Sequence, residues 1–253
     1  MPGMTPRRYV QKTRAAASEQ TRARVLDAAV RLIPEAGASL PVAAIARDAG
    51  VAVQTIYDQF GSKGGLLIAT VDRIQASSGL LDSLRAVFTS PHGEEAMRRM
   101  IEATVGFWDR AWPYLEFMLR ARRVDPVVER EMAFVDRLRR AHFWAITQRL
   151  ADEGRLRDGR SADWAAEQAF ALTTATVYEE IGPRAGGSVA TAIETCAIAA
   201  LSVILEPGSA AVIDPPPDWA GLEAAAAARA MAAGSDPDRL SPGWRAAPVR
   251  RAD

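Results

Sequence analysis

One cysteine, Cys196, and two histidines, His92 and His142, are all that 253 residues offer of the usual metal-binding and redox side chains. A single thiol excludes an internal disulfide framework and fits a reducing cytoplasm. The two histidines share no metal-ligand spacing, so a zinc site lacks its donors. There is no glycine-rich phosphate loop ending in lysine, no nucleophile elbow and no dinucleotide fingerprint. The Glu-x-x-His pairs that build di-iron sites in helical bundles are also missing. No enzyme is expected, and no cofactor or metal. Net charge is lacking too: 31 Lys and Arg balance 31 Asp and Glu, so the whole-chain sum points to no nucleic-acid partner. Only Val189 to Leu205 approaches the length of a membrane span. Glu194 interrupts it, its apolar content is mostly alanine, and no basic cluster flanks it, so no membrane segment is expected. The basic N-terminus is followed by no apolar stretch, and no secretory signal is expected.

What the sum conceals, the distribution shows. Arg7, Arg8, Lys12, Arg14, Arg22 and Arg24 are opposed only by Glu19 in the first two dozen residues. A basic end on a neutral chain fits a small DNA-reading module attached to a larger body. Residues 1–18 mix Pro, Arg, Lys and Ala without periodicity and read as a flexible basic arm. Ser18 or Thr21 can cap a first helix bearing Val25, Leu26, Ala29 and Ile33, with Pro34 in its last turn and Gly37 at its end.

Val42 to Lys63, VAAIARDAGVAVQTIYDQFGSK, carries the sharpest pattern. Val42, Ile45, Ala46 and Ala49 form one helical face, and Gly50 stands where a helix stops at positive φ. Val53, Ile56 and Phe60 then repeat the period, and Gln54, Thr55, Asp58 and Gln59 face elsewhere. Two short helices around a tight turn form a helix-turn-helix, whose second helix enters the major groove. An αα-hairpin within a bundle is the plainer reading of the same signals. Gln54 can pair with adenine in bidentate fashion, Thr55 can meet a base edge, and Asp58 can accept from cytosine N4 or take part in a salt bridge. Arg47 faces outward, toward backbone phosphate or solvent. Ser62 is a credible cap for a fourth helix with Leu66, Leu67, Ala69, Val71 and Ile74.

From Thr21 to Ile74 the chain resembles the N-terminal domain of the TetR (tetracycline-repressor-like) transcriptional regulators. Ala28-Ala29, Gly37, Ile45 through Val51, Thr55-Ile56-Tyr57, Phe60, Ser62-Lys63 and Leu66-Leu67 carry the likeness, in order and at spacing. It implies an all-α fold: an N-terminal three-helix helix-turn-helix DNA-binding domain plus a larger helical ligand-binding and dimerisation domain. It also implies that Tyr57 and Lys63 contact phosphate. The candidate DNA-facing set is Arg47, Val53, Gln54, Thr55, Tyr57, Asp58, Gln59 and Lys63. Three departures stand out: Leu40-Pro41 and Ala52 where the family often has hydroxyls, and Gly64-Gly65 where an acid is common.

The domains expected are the arm, 1–18; the DNA-binding domain, 19–75, including the start of the linking fourth helix; an effector-binding and dimerisation domain, 76–206; and a Pro/Ala-rich, largely disordered tail, 207–253, with room for a short helix in the alanine run from Leu222 to Ala233. Within the body, helices are expected over Gly79–Thr89, Glu94–Trp112 (limited by Pro113), Tyr114–Val124, Pro126–Glu153, about 161–181 and 188–205. The last carries one charge and is rich in Ala, Thr and Ser on all sides, so more than one face must be covered. A second subunit is the simplest cover, and the resemblance places a homodimer interface on 161–181 and 188–205. The resemblance also implies an effector pocket, for which Phe107, Trp108, Trp112, Phe117, Met118, His142, Phe143 and Tyr178 are candidates and an apolar or aromatic small molecule the expected ligand. The expected partners are thus an operator in double-stranded DNA, a small effector and a second copy. The function implied is a ligand-responsive regulator, most often a repressor. The alternative is a helical ligand- or protein-binding module that has lost DNA binding.

Overall fold

Helix-forming residues broken by glycine and proline at intervals give a chain of α-helices, and a computed structural model describes residues 6–36, 40–208 and 218–236, with side chains from residue 16. Among the described residues there are eleven α-helices and no β-strand, only an isolated antiparallel pair, Leu156 and Leu205. The chain divides into two compact units, Met1–Ser77 with Ala111–Glu131, and Ser78–Arg110 with Met132–Asp253.

In the first unit, helix α1 spans Pro6–Ala36, α2 Val42–Ala49, α3 Val53–Phe60 and α4 Lys63–Ser77. Residues 6–18, read from sequence as an arm, are thus helical. Their Arg, Gln, Lys and Ala are good helix formers without an apolar stripe, so propensity acts where periodicity gives no signal. Thr21 does not cap; its hydroxyl donates back to the Ala17 carbonyl at 2.9 Å inside α1. Gly37 lies outside the described residues. Val25, Ala28, Ala29, Ile45, Ile56 and Leu66 build the core of this unit.

Gly50 ends α2 at φ 65°, its N–H turned to the Ala46 and Arg47 carbonyls, as the positive-φ stop requires. Ser62 Oγ accepts from the Gly65 N–H at 3.0 Å, the expected cap of α4. Pro34 lies within α1 and has no N–H to return to the carbonyl four residues back. That carbonyl belongs to Val30, and the Tyr114 hydroxyl donates to it at 2.8 Å. Gly64 and Gly65, which sequence shows only as a weak helix start, answer to close approach. A Cβ on Gly64 would overlap Asp125 Oδ2 and come within 2.8 Å of Val128 Cγ2; one on Gly65 would overlap the Phe60 carbonyl oxygen.

The remaining helices are α5 Leu80–Val87, α6 Gly93–Ala121, α7 Pro126–Asp152, α8 Ala162–Ala171, α9 Ala175–Ile181, α10 Val189–Ile204 and α11 Trp219–Ala232. Two differ from expectation, and a third, in the tail, is longer than the short helix its alanine run suggests. Pro113 does not divide α6, which runs through it as one helix. Buried Trp112, Tyr114 and Leu115 flank the proline, and their packing outweighs one lost backbone bond. Residues 161–181 form two helices, because Leu172 and Thr173 leave the helix and Thr174 caps α9 from its side chain to Val177 N. The tail contains a docked helix. Trp219, Ala226, Ala227 and Ala230 of α11 are buried, and Trp219 Nε1 donates to the Ser90 carbonyl at 2.8 Å, edge-on to Phe88. Alanine side chains pack closely without producing the large-residue stripe by which a helix is recognised in sequence. Residues 209–217 and 237–253 of the tail fall outside the described residues.

Ser161 caps α8, Ser188 caps α10, and α7 ends just before Gly154. The second unit is centred on Met97, Ile101, Val105, Phe143, Ile146 and Leu150, all fully buried. Glu153 closes one end of the α6–α7 pair by accepting from the Gly93 N–H at 2.9 Å and from Arg149 Nε at 2.6 Å.

Candidate nucleic-acid interface and ligand site

Helix α3 is short because Ala52 begins it without a side-chain cap and Gly61 ends it. It is held by one fully buried side chain, Ile56. Around that anchor the helix geometry turns Val53, Gln54, Tyr57 and Asp58 to solvent and leaves Thr55 half-buried. Val53 at 38% and Tyr57 at 41% exposure are large side chains that the fold leaves uncovered. Gln54 Nε2 donates to Asp58 Oδ1 at 2.8 Å, one turn along, so the only charge on α3 restrains the amide beside it. Arg47 is exposed on α2, while its neighbour Asp48 pairs with Arg31.

Two candidates sit differently. Gln59 is turned to α1, its Nε2 3.4 Å from the Ser18 carbonyl, and Arg22 lies 4.4 Å over the neighbouring Phe60 ring. Lys63 places its ammonium 5.0 Å over the Phe117 ring, and partial burial lowers its pKa. It also borders a small apolar hollow with Ile33, Leu40, Ile45, Leu66, Leu67 and Phe117. Gln59 is drawn in by the Ser18 carbonyl of α1 and Lys63 by the Phe117 ring, partners that the linear sequence does not place beside them.

The eight effector candidates are divided. Trp112, Phe117 and Met118 belong to the first unit, and Phe107, Trp108, His142, Phe143 and Tyr178 to the second. Phe143 is fully buried in the second unit's core. His142 is 3% exposed and tilted against Phe88 with ring centroids 5.5 Å apart. Burial, and then the charge of Arg139, lower its pKa to about 3, so the imidazole is neutral. The Tyr178 hydroxyl donates to Asp109 Oδ1 at 2.6 Å; burial and that carboxylate raise its pKa well above the phenol range.

Sequence reasoning passes over Arg139, Phe170 and Thr173, which stand beside Trp108. Trp108 Nε1 donates to the Thr173 carbonyl at 2.9 Å, and Arg139 Nη2 reaches the same oxygen at 2.8 Å. The guanidinium carbon is 4.8 Å from the Trp108 ring centroid and 4.7 Å from that of Phe170. Desolvation, only partly offset by Asp136, lowers the Arg139 pKa to about 10. The one available signal was a charged residue immediately before Arg140 on the flank of the His142 stripe.

Among the described residues no three His, Cys, Asp or Glu side chains stand close enough to hold a metal ion, and no helix is long and apolar enough to cross a membrane. Residues 25–70 match the model of the bacterial regulatory proteins of the tetR family. A proposed transcriptional regulator from Saccharomonospora viridis, in complex with choline, is 21% identical with a TM-score of 0.62, over 74% of this chain and 99% of its own. The SmeT–triclosan complex is 21% identical with a TM-score of 0.58, over 78% and 98%. The transcriptional regulator FadR from Bacillus subtilis, in complex with stearoyl-CoA, is 18% identical with a TM-score of 0.58, over 72% and 98%. At these identities the likeness is one of fold. No curated protein matches in sequence. Over residues 25–70 the chain is thus similar to the tetR family of bacterial regulatory proteins, and over most of its length it shares the fold of these solved regulators.

Proposed function

We propose that the chain is a ligand-responsive transcriptional regulator, most simply a cytoplasmic repressor without catalytic activity, that binds a pseudo-palindromic operator as a homodimer. The observation that carries this reading is α3. Within a stretch matched to the tetR family, a short helix fixed by Ile56 leaves Val53, Gln54, Tyr57 and Asp58 uncovered. Gln54, with one amide hydrogen held by Asp58, keeps the other hydrogen and its carbonyl for adenine N7 and N6. Tyr57, Thr55 and Arg47 suit phosphate or base-edge contacts beside it. Lys63 joins the phosphate contacts on leaving Phe117, and Gln59 serves by supporting α1.

Dimerisation through α8, α9 and α10 is supported by the composition and exposure of α10. Its single charge is Glu194, and Ile198 is 58% exposed among small residues. Three solved proteins of this fold hold choline, triclosan and stearoyl-CoA. A small apolar or aromatic effector for this chain fits the aromatic side chains of the second unit, Phe107, Trp108 and Tyr178 with His142. Release from DNA requires that the effector bind the non-binding state more tightly than the binding state.

Gel shift of the full-length protein on genomic fragments tests the reading, with selection from random duplexes to define the site. A folded dimer that retards every fragment equally, or none, would falsify it. Within a defined site, Gln54→Ala should relax preference at one position by about 1–3 kcal/mol, whereas Lys63→Ala should weaken all sequences alike.

A further inference from the structure

Arg139 is a buried guanidinium with no hydrogen-bonded counterion among the described residues. It is 8% exposed in the second unit, between α6 and the α8–α9 break. The Thr173 carbonyl it reaches has a donor in Trp108 Nε1, at 2.9 Å, so that oxygen is satisfied without a cation. Asp136, the nearest carboxylate among the described residues, is 3.9 Å away, beyond hydrogen-bond reach. Buried Arg149 and half-buried Arg155 also keep one unpartnered N–H, but each has a hydrogen-bonded carboxylate, Glu153 at 2.6 Å and Glu94 at 2.9 Å. A full charge buried without a hydrogen-bonded counterion is costly, and the cost is removed when an anion arrives.

The geometry also says where an anion would sit. The guanidinium carbon lies 4.8 and 4.7 Å from the Trp108 and Phe170 ring centroids, with Arg140 also 3.7 Å over Phe170. Because guanidinium N–H groups point outward in its plane, a hydrogen-bonded anion takes an edge in that plane. In that plane Nη2 faces Thr173 and Nη1 faces Asp136. The remaining edge is Nε–H, which is buried with no partner among the described residues. His142, one turn along α7, is neutral and offers an anion no repulsion.

Resting on the regulator reading above, we propose that the effector is an organic acid with an apolar body, whose carboxylate takes the Nε–H edge of Arg139 while Trp108 and Phe170 contact the adjoining carbon frame. Choline, held by one protein of this fold, is a cation and would be refused here.

Calorimetry on the full-length dimer tests this with acid and amide pairs of one frame: benzoate and benzamide, naphthoate and naphthamide, decanoate and decanamide. The expected result is that at least one acid binds about 10–100-fold more tightly than its amide, the range of a hydrogen bond to a charged group. Arg139→Gln should abolish that difference, with the fold checked by circular dichroism. Asp136→Asn, which removes the competing carboxylate, should tighten the acid several-fold and leave the amide unchanged; it keeps the question answerable if Arg139→Gln does not fold. Amides binding as well as acids, acid preference surviving Arg139→Gln, or no acid binding at all would each overturn the proposal. A gel shift run in parallel separates the two readings. Specific DNA binding released by a neutral probe keeps the regulator and removes the acid site. A measured acid preference without any specific DNA complex does the reverse.

Discussion

Tyr114→Phe isolates one hydroxyl. The ring is 4% exposed and a phenylalanine refills it, so packing is conserved and only the bond to the Val30 carbonyl, 2.8 Å long, is lost. In an ordinary helix that carbonyl would receive the N–H of residue 34, but residue 34 is proline. Without Tyr114 a partly buried acceptor has no protein donor, which costs about 1–2 kcal/mol. In urea, with an m-value of about 2–3 kcal/mol/M, the midpoint should fall by roughly half a molar unit. The informative comparison is made in a Pro34→Ala background. There the amide of residue 34 can supply the regular bond, and the same Tyr114→Phe change should cost less than about 0.5 kcal/mol. The four proteins are compared by circular dichroism at one concentration, since the stability of any assembling protein depends on it. Equal cost in both backgrounds would refute the idea that the tyrosine stands in for the missing amide.

Gly64→Ala should destabilise by about 1 kcal/mol net, overpacking of about 1–3 against Val128 and Asp125 exceeding a helix-propensity gain of about 1; Gly65→Ala, set against an unyielding Phe60 carbonyl, should cost more, and the reverse order in thermal melts would count against this account. His142 takes a proton at about 6.5 when unfolded and at about 3 when folded, so its neutral burial stabilises above pH 6.5 and that stability is lost as pH falls toward 3. By pH 5 the loss is about 2 kcal/mol, at about 1.36 kcal/mol per pH unit, and His142→Gln should flatten the pH dependence of the melting temperature over that range. Trp219→Ala removes a buried indole and its bond to Ser90, nominally about 3–5 kcal/mol. Because that is comparable with all that holds a single terminal helix, α11 should detach while the rest stays folded. Hydrogen exchange confined to 219–232 checks it, and continued protection there would show that the alanine face, not the indole, anchors the helix.

The reading head is legible in sequence because each of its signals is local. Gly50, the Val53–Ile56–Phe60 spacing and Ser62 act through neighbours within four residues, and period and capping rules describe them. Features set by distant partners are not legible in that way. The two glycines after Lys63 look like a defect until Asp125 and Val128 are seen against the first of them. Pro113 looks like a terminator, yet the buried aromatics around it keep α6 continuous. The α8–α9 break carries no glycine or proline; it is held by Trp108 and Arg139 on the Thr173 carbonyl, from sixty-five and thirty-four residues away. For the same reason the ligand candidates drawn from sequence are mostly aromatics, and the cation against one of them, Arg139 at Trp108, leaves no mark in the linear pattern.

Helix α3 carries no cation from Val53 to Phe60 and one carboxylate, Asp58. The ionic share of DNA affinity comes from displaced counterions, with log K falling by about 0.9 per neutralised phosphate for each decade of salt. On the proposed reading α3 therefore supplies none of that share, which would fall to Arg47, Lys63 and the basic residues near the N-terminus of the sequence. Attraction and discrimination would then be lodged on different elements of one head. Raising the ionic strength should then lower affinity for every sequence by nearly the same factor, while the ratio between the best site and the worst holds constant.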